Sequence, residues 1–178
     1  MLSILCLVCP ILANSQVQVK AGFTAANRWN ETLNSQTLGK GFRLSGEKLV
    51  APKFGLGIET AYLSFHPTDL VAVQFNTLSL SMTYYLTDKR LEPYLGAGLG
   101  FARYADKTTI ELGAGNTKTQ TRHKNYGVIA PFLGVQYAIS QKAKNWGVYL
   151  QANADIIPVV NITPIGFVSL TTGICYKF

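Results

Sequence analysis

The sequence predicts an all-β chain that closes into a single eight-stranded antiparallel up-and-down transmembrane β-barrel. Three observations carry that reading: hydrophobicity alternating with period two along most of the chain, turn-forming clusters between the alternating pieces, and a closing segment that ends on an aromatic residue.

The 178 residues suffice for one domain with a proper core and are short for two, so one architecture has to account for the chain. Hydrophobic residues make up 48% and mean hydropathy is +0.16. Past residue 15, however, no apolar run approaches the ~18 residues that a spanning helix needs. Nine Tyr, nine Phe and 16 Gly, without Leu-, Glu- and Lys-rich helical stretches, favour strands.

The N-terminal stretch Leu2 to Ala13 is apolar and ends in the small-x-small site Ala13-Asn14-Ser15. It reads as a secretory signal over 1–15, lacking the usual basic start, with the barrel domain over 16–178. Cys6 and Cys9 fall inside that signal, which leaves Cys175 alone and excludes an intrachain disulfide framework.

After the signal, Val17, Val19, Ala21 and Phe23 oppose Gln18, Lys20, Gly22 and Thr24. A short strand around Lys40 to Ser45 rests on Phe42 and Leu44 alone; it brings the count to the even number a barrel requires. Phe54, Leu56, Ile58 and Tyr62 alternate with Gly55, Gly57, Glu59 and Ala61. Leu78, Leu80, Met82 and Tyr84 oppose Ser79, Ser81 and Thr83, whereas Val71, Val73 and Phe75 sit in the opposite phase, so a bulge near Asn76 is expected.

Leu95, Ala97, Leu99 and Phe101 face away from Gly96, Gly98, Gly100 and Ala102. Ile129, Leu133, Val135, Tyr137 and Ile139 face away from Ala130, Phe132, Gly134, Gln136 and Ala138. Trp146, Val148, Leu150, Ala152 and Ile156 alternate with Tyr149, Gln151, Asn153 and Asp155. In the last strand Val168, Leu170, Ile174, Tyr176 and Phe178 oppose Phe167, Ser169, Thr171, Gly173, Cys175 and Lys177.

Thr87 to Arg90 and Ser140 to Asn145 are short connections; Trp29 to Gly39, His66 to Asp69, Ala105 to Lys124 and Pro158 to Pro164 are expected at the opposite end. Short turns at one end and longer loops at the other is the outer-membrane arrangement. Strands of about ten residues rising ~3.3 Å each and tilted ~40° cover the ~25 Å apolar band of such a barrel.

Periodicity does not decide which face is inside, so a soluble lipocalin-like binder of a hydrophobic ligand is the structural alternative. The export signal, the terminal aromatic and the aromatics Tyr62, Tyr84, Tyr94, Tyr126, Tyr137 and Trp146 near strand ends favour a membrane barrel with an interfacial girdle.

Gly173-Ile174-Cys175-Tyr176-Lys177-Phe178 resembles the closing strand of small bacterial outer-membrane barrels of the OmpX, OmpW, OmpA-like and PorT-like kind. Pro93 to Gly100 and Pro131 to Val135 resemble their inner strands. The resemblance implies a Gram-negative outer-membrane location, contact with envelope lipids and lipopolysaccharide, and an assembly signal at Ile174, Tyr176 and Phe178 read by the barrel-insertion machinery.

Chemistry-bearing constellations are sparse. There is no paired-His motif, G-x-S-x-G or P-loop, so neither a metal nor another cofactor is expected. Ser64 and His66 share a face near the rim without an apparent orienting acid, and His66 precedes Pro67 in an expected turn.

Lys20, Glu59 and Asp155 share the expected interior face, where ion pairs should offset the cost of burial and stiffen the barrel. Lys107, Lys118, Arg122 and Lys124 form a basic patch in the expected long loop, suited to phosphates or anionic glycans. The net charge of +7 is scattered over connections rather than set on a basic helix, which argues against nucleic acid as a partner.

The functional expectation is a non-enzymatic barrel with a structural, adhesive or surface-interaction role through its extracellular loops. A narrow, porin-like passage for small solutes is the alternative.

Overall fold

In the computed structural model, which describes residues 16–29, 38–68, 71–111, 117–139, 145–158 and 165–178, eight strands follow one another without a helix. They are β1 (Val17–Trp29), β2 (Gly39–Ala51), β3 (Phe54–Thr68), β4 (Val71–Tyr85), β5 (Leu91–Glu111), β6 (Thr117–Ala138), β7 (Trp146–Ile157) and β8 (Ile165–Lys177). Each pairs antiparallel with the next, and β8 returns to β1 from Gln18↔Lys177 to Trp29↔Gly166, closing the barrel. Closure removes the edges that make an open sheet prone to aggregate.

Alternation decides the inside. On β4 the burial alternates residue by residue, with Thr77, Ser79, Ser81 and Thr83 inward and Leu78, Leu80, Met82 and Tyr84 outward. Phe23 is 81%, Leu80 70% and Phe101 74% exposed, while the inward Thr171 is 0% and Thr83 2% exposed. A continuous apolar exterior around a polar interior is the inverse of a soluble barrel and matches a bilayer as solvent. The lipocalin-like alternative, which needs the aliphatic face inside, is thereby set aside.

Three connections lie at the end that holds both Gln16 and Phe178: Pro52-Lys53, Leu86 to Arg90, and the segment after Ile139. This terminal end is opposite the far end, where β5 and β6 extend as a ribbon that β4 flanks as far as Thr108 and that is two-stranded beyond it.

Several details differ from the sequence reading. The weakly marked second strand runs the full Gly39–Ala51 because its backbone is paired on both sides, by β1 and β3, whatever its side-chain pattern. The expected bulge at Asn76 is absent: β4 keeps one register with β5 from Val71↔Thr108 to Tyr85↔Tyr94. Val73 and Phe75 simply point inward, since the lumen at that level is apolar. Register shifts fall instead between Leu49 and Ala51 and between Phe65 and Thr68.

His66 lies in β3 and not in a turn. The expected loop Ala105 to Lys124 is largely strand, pairing from Tyr104↔Lys124 to Glu111↔Thr117. Its alternating Thr residues favour extended backbone although they supply no apolar signal. The segment 1–15 expected to be a signal, including Cys6 and Cys9, and most of the Asn30 to Gly39 and Pro158 to Pro164 connections lie outside the described residues.

Candidate functional site

The inward side chains divide the lumen into two levels. Toward the far end, Ala26, Leu63, Phe65, Val73, Phe75, Ala102, Val128, Ile157 and Phe167 form one buried apolar cluster. Its centre is aromatic: Phe75 lies 4.2 Å from Phe167 and 5.0 Å from Tyr104 between ring centroids, and Phe65 lies 5.5 Å from Phe167. Aromatic contacts of this kind, tilted or edge to face, fill space across a barrel only a few side chains wide.

Below that plug the lumen is polar. Arg43 on β2 pairs with Glu59 on β3, reaches Asp155 on β7 at 2.9 Å and touches the Ser169 hydroxyl on β8 at 3.5 Å. All four side chains are buried. Gln151 donates to Glu59 at 3.2 Å and to Asn153 at 2.7 Å, and accepts the Tyr94 hydroxyl at 2.9 Å.

Of the three charged residues expected to share the interior, Lys20, Glu59 and Asp155 are all inward and buried. The cation that joins the two carboxylates is Arg43, which the sequence reading missed because it lies in the strand with the poorest alternation. Lys20 instead bonds the Tyr85 hydroxyl at 3.3 Å and lies 3.9 Å from the Tyr94 ring centroid, a cation–π contact in a dry setting.

Nearest the terminal end, the Tyr85 hydroxyl donates to Gln18 at 3.1 Å and the Gln18 amide to Gln136 at 2.6 Å. Gln136 donates on to Glu92, which also receives Lys177 at 2.5 Å. This chain of groups crosses from β4 through β1 and β6 to β5 and β8 at the floor of a mouth cavity of about 450 Å³ lined by Leu49, Pro52, Tyr85, Arg90, Glu92 and Lys177.

The inward glycines make room for this packing. A Cβ on Gly134 would meet the Tyr94 ring at 2.6 Å, and one on Gly96 would meet the Phe132 ring at 2.3 Å. In each case glycine and aromatic are cross-strand partners, Gly134 with Tyr94 and Gly96 with Phe132. Tyr94 and Tyr126 therefore do not belong to the expected girdle: Tyr94 is buried in the lumen, and Tyr126 packs against the far apolar cluster.

Tyr84, Tyr137 and Trp146 are outward. Trp146, Tyr176 and Phe178 meet edge to face in series at the terminal end, with centroids 4.8 and 4.7 Å apart. Ile174, Tyr176 and Phe178 thus fall on the lipid side of the closing strand.

The basic residues of the ribbon separate by face. Lys118, Arg122 and Lys124 have the parity of the inward Val128 and Ala130, while Lys107 is on the outward side. Ser64 and His66 share the outward face, and Ser64 stands between Lys40 and Gln74, so its register neighbours supply no carboxylate. Among the described residues no group of three His, Cys, Asp or Glu is placed to hold a metal. Cys175 is buried and free.

No protein-family model and no curated protein matches this sequence. Solved structures do. Neisserial surface protein A superposes with a TM-score of 0.66 at 19% identity, over 91% of this chain and 97% of that one. Ail, the attachment invasion locus protein of Yersinia pestis, gives 0.61 at 13% identity over 92% and 99%. OprG of Pseudomonas aeruginosa gives 0.58 at 12% identity over 92% and 96%. With similarity this distant in sequence and this complete in backbone, the chain has the fold of the small bacterial outer-membrane β-barrels.

Proposed function

We propose that the chain is exported by a signal over 1–15, inserted in the outer membrane with its termini in the periplasm, and acts at the cell surface without catalysing a reaction. The observation that carries this reading is a closed lumen beneath a projecting ribbon. Phe65, Phe75 and Phe167 are at most 2% exposed across the far level, and the Arg43 ion pairs fill the level below. An ion would have to break both, which disfavours the solute passage.

The ribbon is the part available to a partner. β6 pairs with β5 as far as Thr117, but its pairing with β7 spans only Ile129 to Ala138. Among the described residues no strand covers the other edge of β6 from 117 to 128, and Lys118, Arg122 and Lys124 project from that same stretch. Open backbone donors beside three cations favour an anionic, extended partner. Ail, which shares the fold, has been solved with the heparin analogue sucrose octasulfate, and a sulfated polysaccharide is accordingly the first probe.

Immobilised heparin should retain the reconstituted barrel, with retention falling as salt rises. Lys118→Gln, Arg122→Gln and Lys124→Gln together should weaken it about tenfold. Retention unchanged in the triple variant would remove the ribbon from the account. The insertion machinery is the second partner, read through Ile174, Tyr176 and Phe178.

A further inference from the structure

Removal of a signal after Ser15 would leave Gln16 as the first residue of the mature chain. A glutamine in that position carries a nucleophile and its own electrophile, because the free α-amine reaches the side-chain carboxamide carbon through a five-membered ring. An internal glutamine has no such option, since its nitrogen is already an amide.

The fold holds Gln16 where that chemistry is open. β1 begins at Val17, which pairs with Lys48 on β2 and whose carbonyl accepts the Phe178 N–H at 2.8 Å. Gln16 precedes this ladder and is exposed, anchored through its carbonyl, which accepts the Leu49 N–H at 2.9 Å. Ring closure uses the α-nitrogen and the side chain and leaves that carbonyl in place. Gln16 lines the mouth cavity together with Leu49 and Pro52, apolar neighbours for a small lactam.

Charge at this end favours the neutral product. The mouth is lined by Lys89, Arg90 and Lys177 against Asp88 and Glu92, and Glu92 is already held by Lys177. Lys48 stands beside it as the register partner of Val17, and Lys53 as the backbone partner of Tyr85. A free α-ammonium adds one more cation to this set, whereas cyclisation removes it.

Resting on the export reading above, we infer that Gln16 is a modification site, converted after signal removal to an N-terminal pyroglutamyl residue. The unprotonated α-amine attacks Cδ of its own carboxamide; the N–Cδ bond forms, the Cδ–Nε2 bond breaks, and ammonia leaves with the proton that the amine gives up. No oxidant and no second substrate are consumed. The lactam closes the chain to aminopeptidases at the strand on which the barrel closes. Trimming from Gln16 would first free the Leu49 N–H and then remove the Val17 carbonyl that holds Phe178, fraying the contacts of β1 with both of its neighbours.

The test is mass spectrometry of the heat-modifiable barrel taken from outer membranes, read on its N-terminal peptide, with a synthetic peptide of residues 16–20 carried through the same preparation. The barrel peptide should begin at residue 16, be lighter than the synthetic one by one ammonia, resist stepwise degradation from its amino end, and yield Val17 first after treatment with pyroglutamyl peptidase. Gln16→Ala should leave a sequenceable amino end at the same cut, and the folded variant should lose residues to an aminopeptidase that the folded parent keeps.

A peptide that begins at Gln16 with its ammonia retained overturns the modification and leaves the export reading intact. A first residue other than 16 is instead a failure of the signal boundary, which takes the modification with it. Equal conversion of the synthetic peptide overturns the assignment of the lactam to the exported protein.

Discussion

Arg43 on β2 and Asp155 on β7 meet at 2.9 Å across the lumen, bridging the β1–β8 seam at which the barrel closes. The same guanidinium holds Glu59 on β3, so one side chain ties together strands from both sides of that seam.

Arg43→Met should therefore cost about 3–5 kcal/mol, because it leaves two buried carboxylates without their cation. Adding Glu59→Gln and Asp155→Asn should return much of the loss. Urea unfolding in detergent or vesicles measures both, and a single variant as stable as the parent would show that the pairs do not clamp the seam.

Gly96 and Phe132 form a fitted pair, glycine floor under ring. Gly96→Ala should destabilise by about 1–3 kcal/mol through overpacking. Phe132→Leu in the same chain should relieve part of that cost. Independent, additive losses in the double variant would argue that the ring does not occupy the space above Gly96.

The far apolar cluster should seal the lumen. Planar bilayers containing the parent barrel are expected to show no discrete conductance; Phe75→Ala with Phe167→Ala should cost several kcal/mol, each truncation removing about 3–5, and should admit ions only when the Arg43 level below is truncated as well. Regular conductance steps from the parent protein would favour the passage reading over the surface one.

Phe178→Ser and Tyr176→Ala should slow assembly catalysed by the insertion machinery more than spontaneous folding into thin vesicles. Trp146→Ala, which touches Tyr176 but lies on β7, should affect the two routes alike. Equal slowing in both assays for all three variants would make the closing aromatics packing residues only.

Much of this architecture is legible in the residues because lipid and lumen impose opposite demands on alternate positions. Leu95, Leu99 and Leu133 against Gly96, Gly98 and Gly134 state the wall directly. Illegibility begins where that contrast fades. Val73 and Phe75 are out of phase only for a reader who expects a polar lumen throughout; an interior that is apolar at one level carries the same letters as the lipid face.

Arg43 escaped notice because Gly39, Gly41, Ser45 and Gly46 give β2 little alternation, and its pairing comes from its neighbours. The ribbon is polar on both faces, so its Thr and Lys residues look like a loop until the β5–β6 pairing is seen. The separation of Lys107 from Lys118, Arg122 and Lys124 depends on that same register.

Migration of this protein from outer-membrane fractions on a detergent gel, with and without boiling, distinguishes a closed membrane barrel from a soluble one. A closed barrel with its apolar face in lipid predicts a faster-running band in the unboiled sample that shifts on heating to the position of the unfolded chain, 19.4 kDa for the 178 residues. A soluble protein with one unshifted band would contradict it and would turn the apolar face inward, toward a ligand cavity.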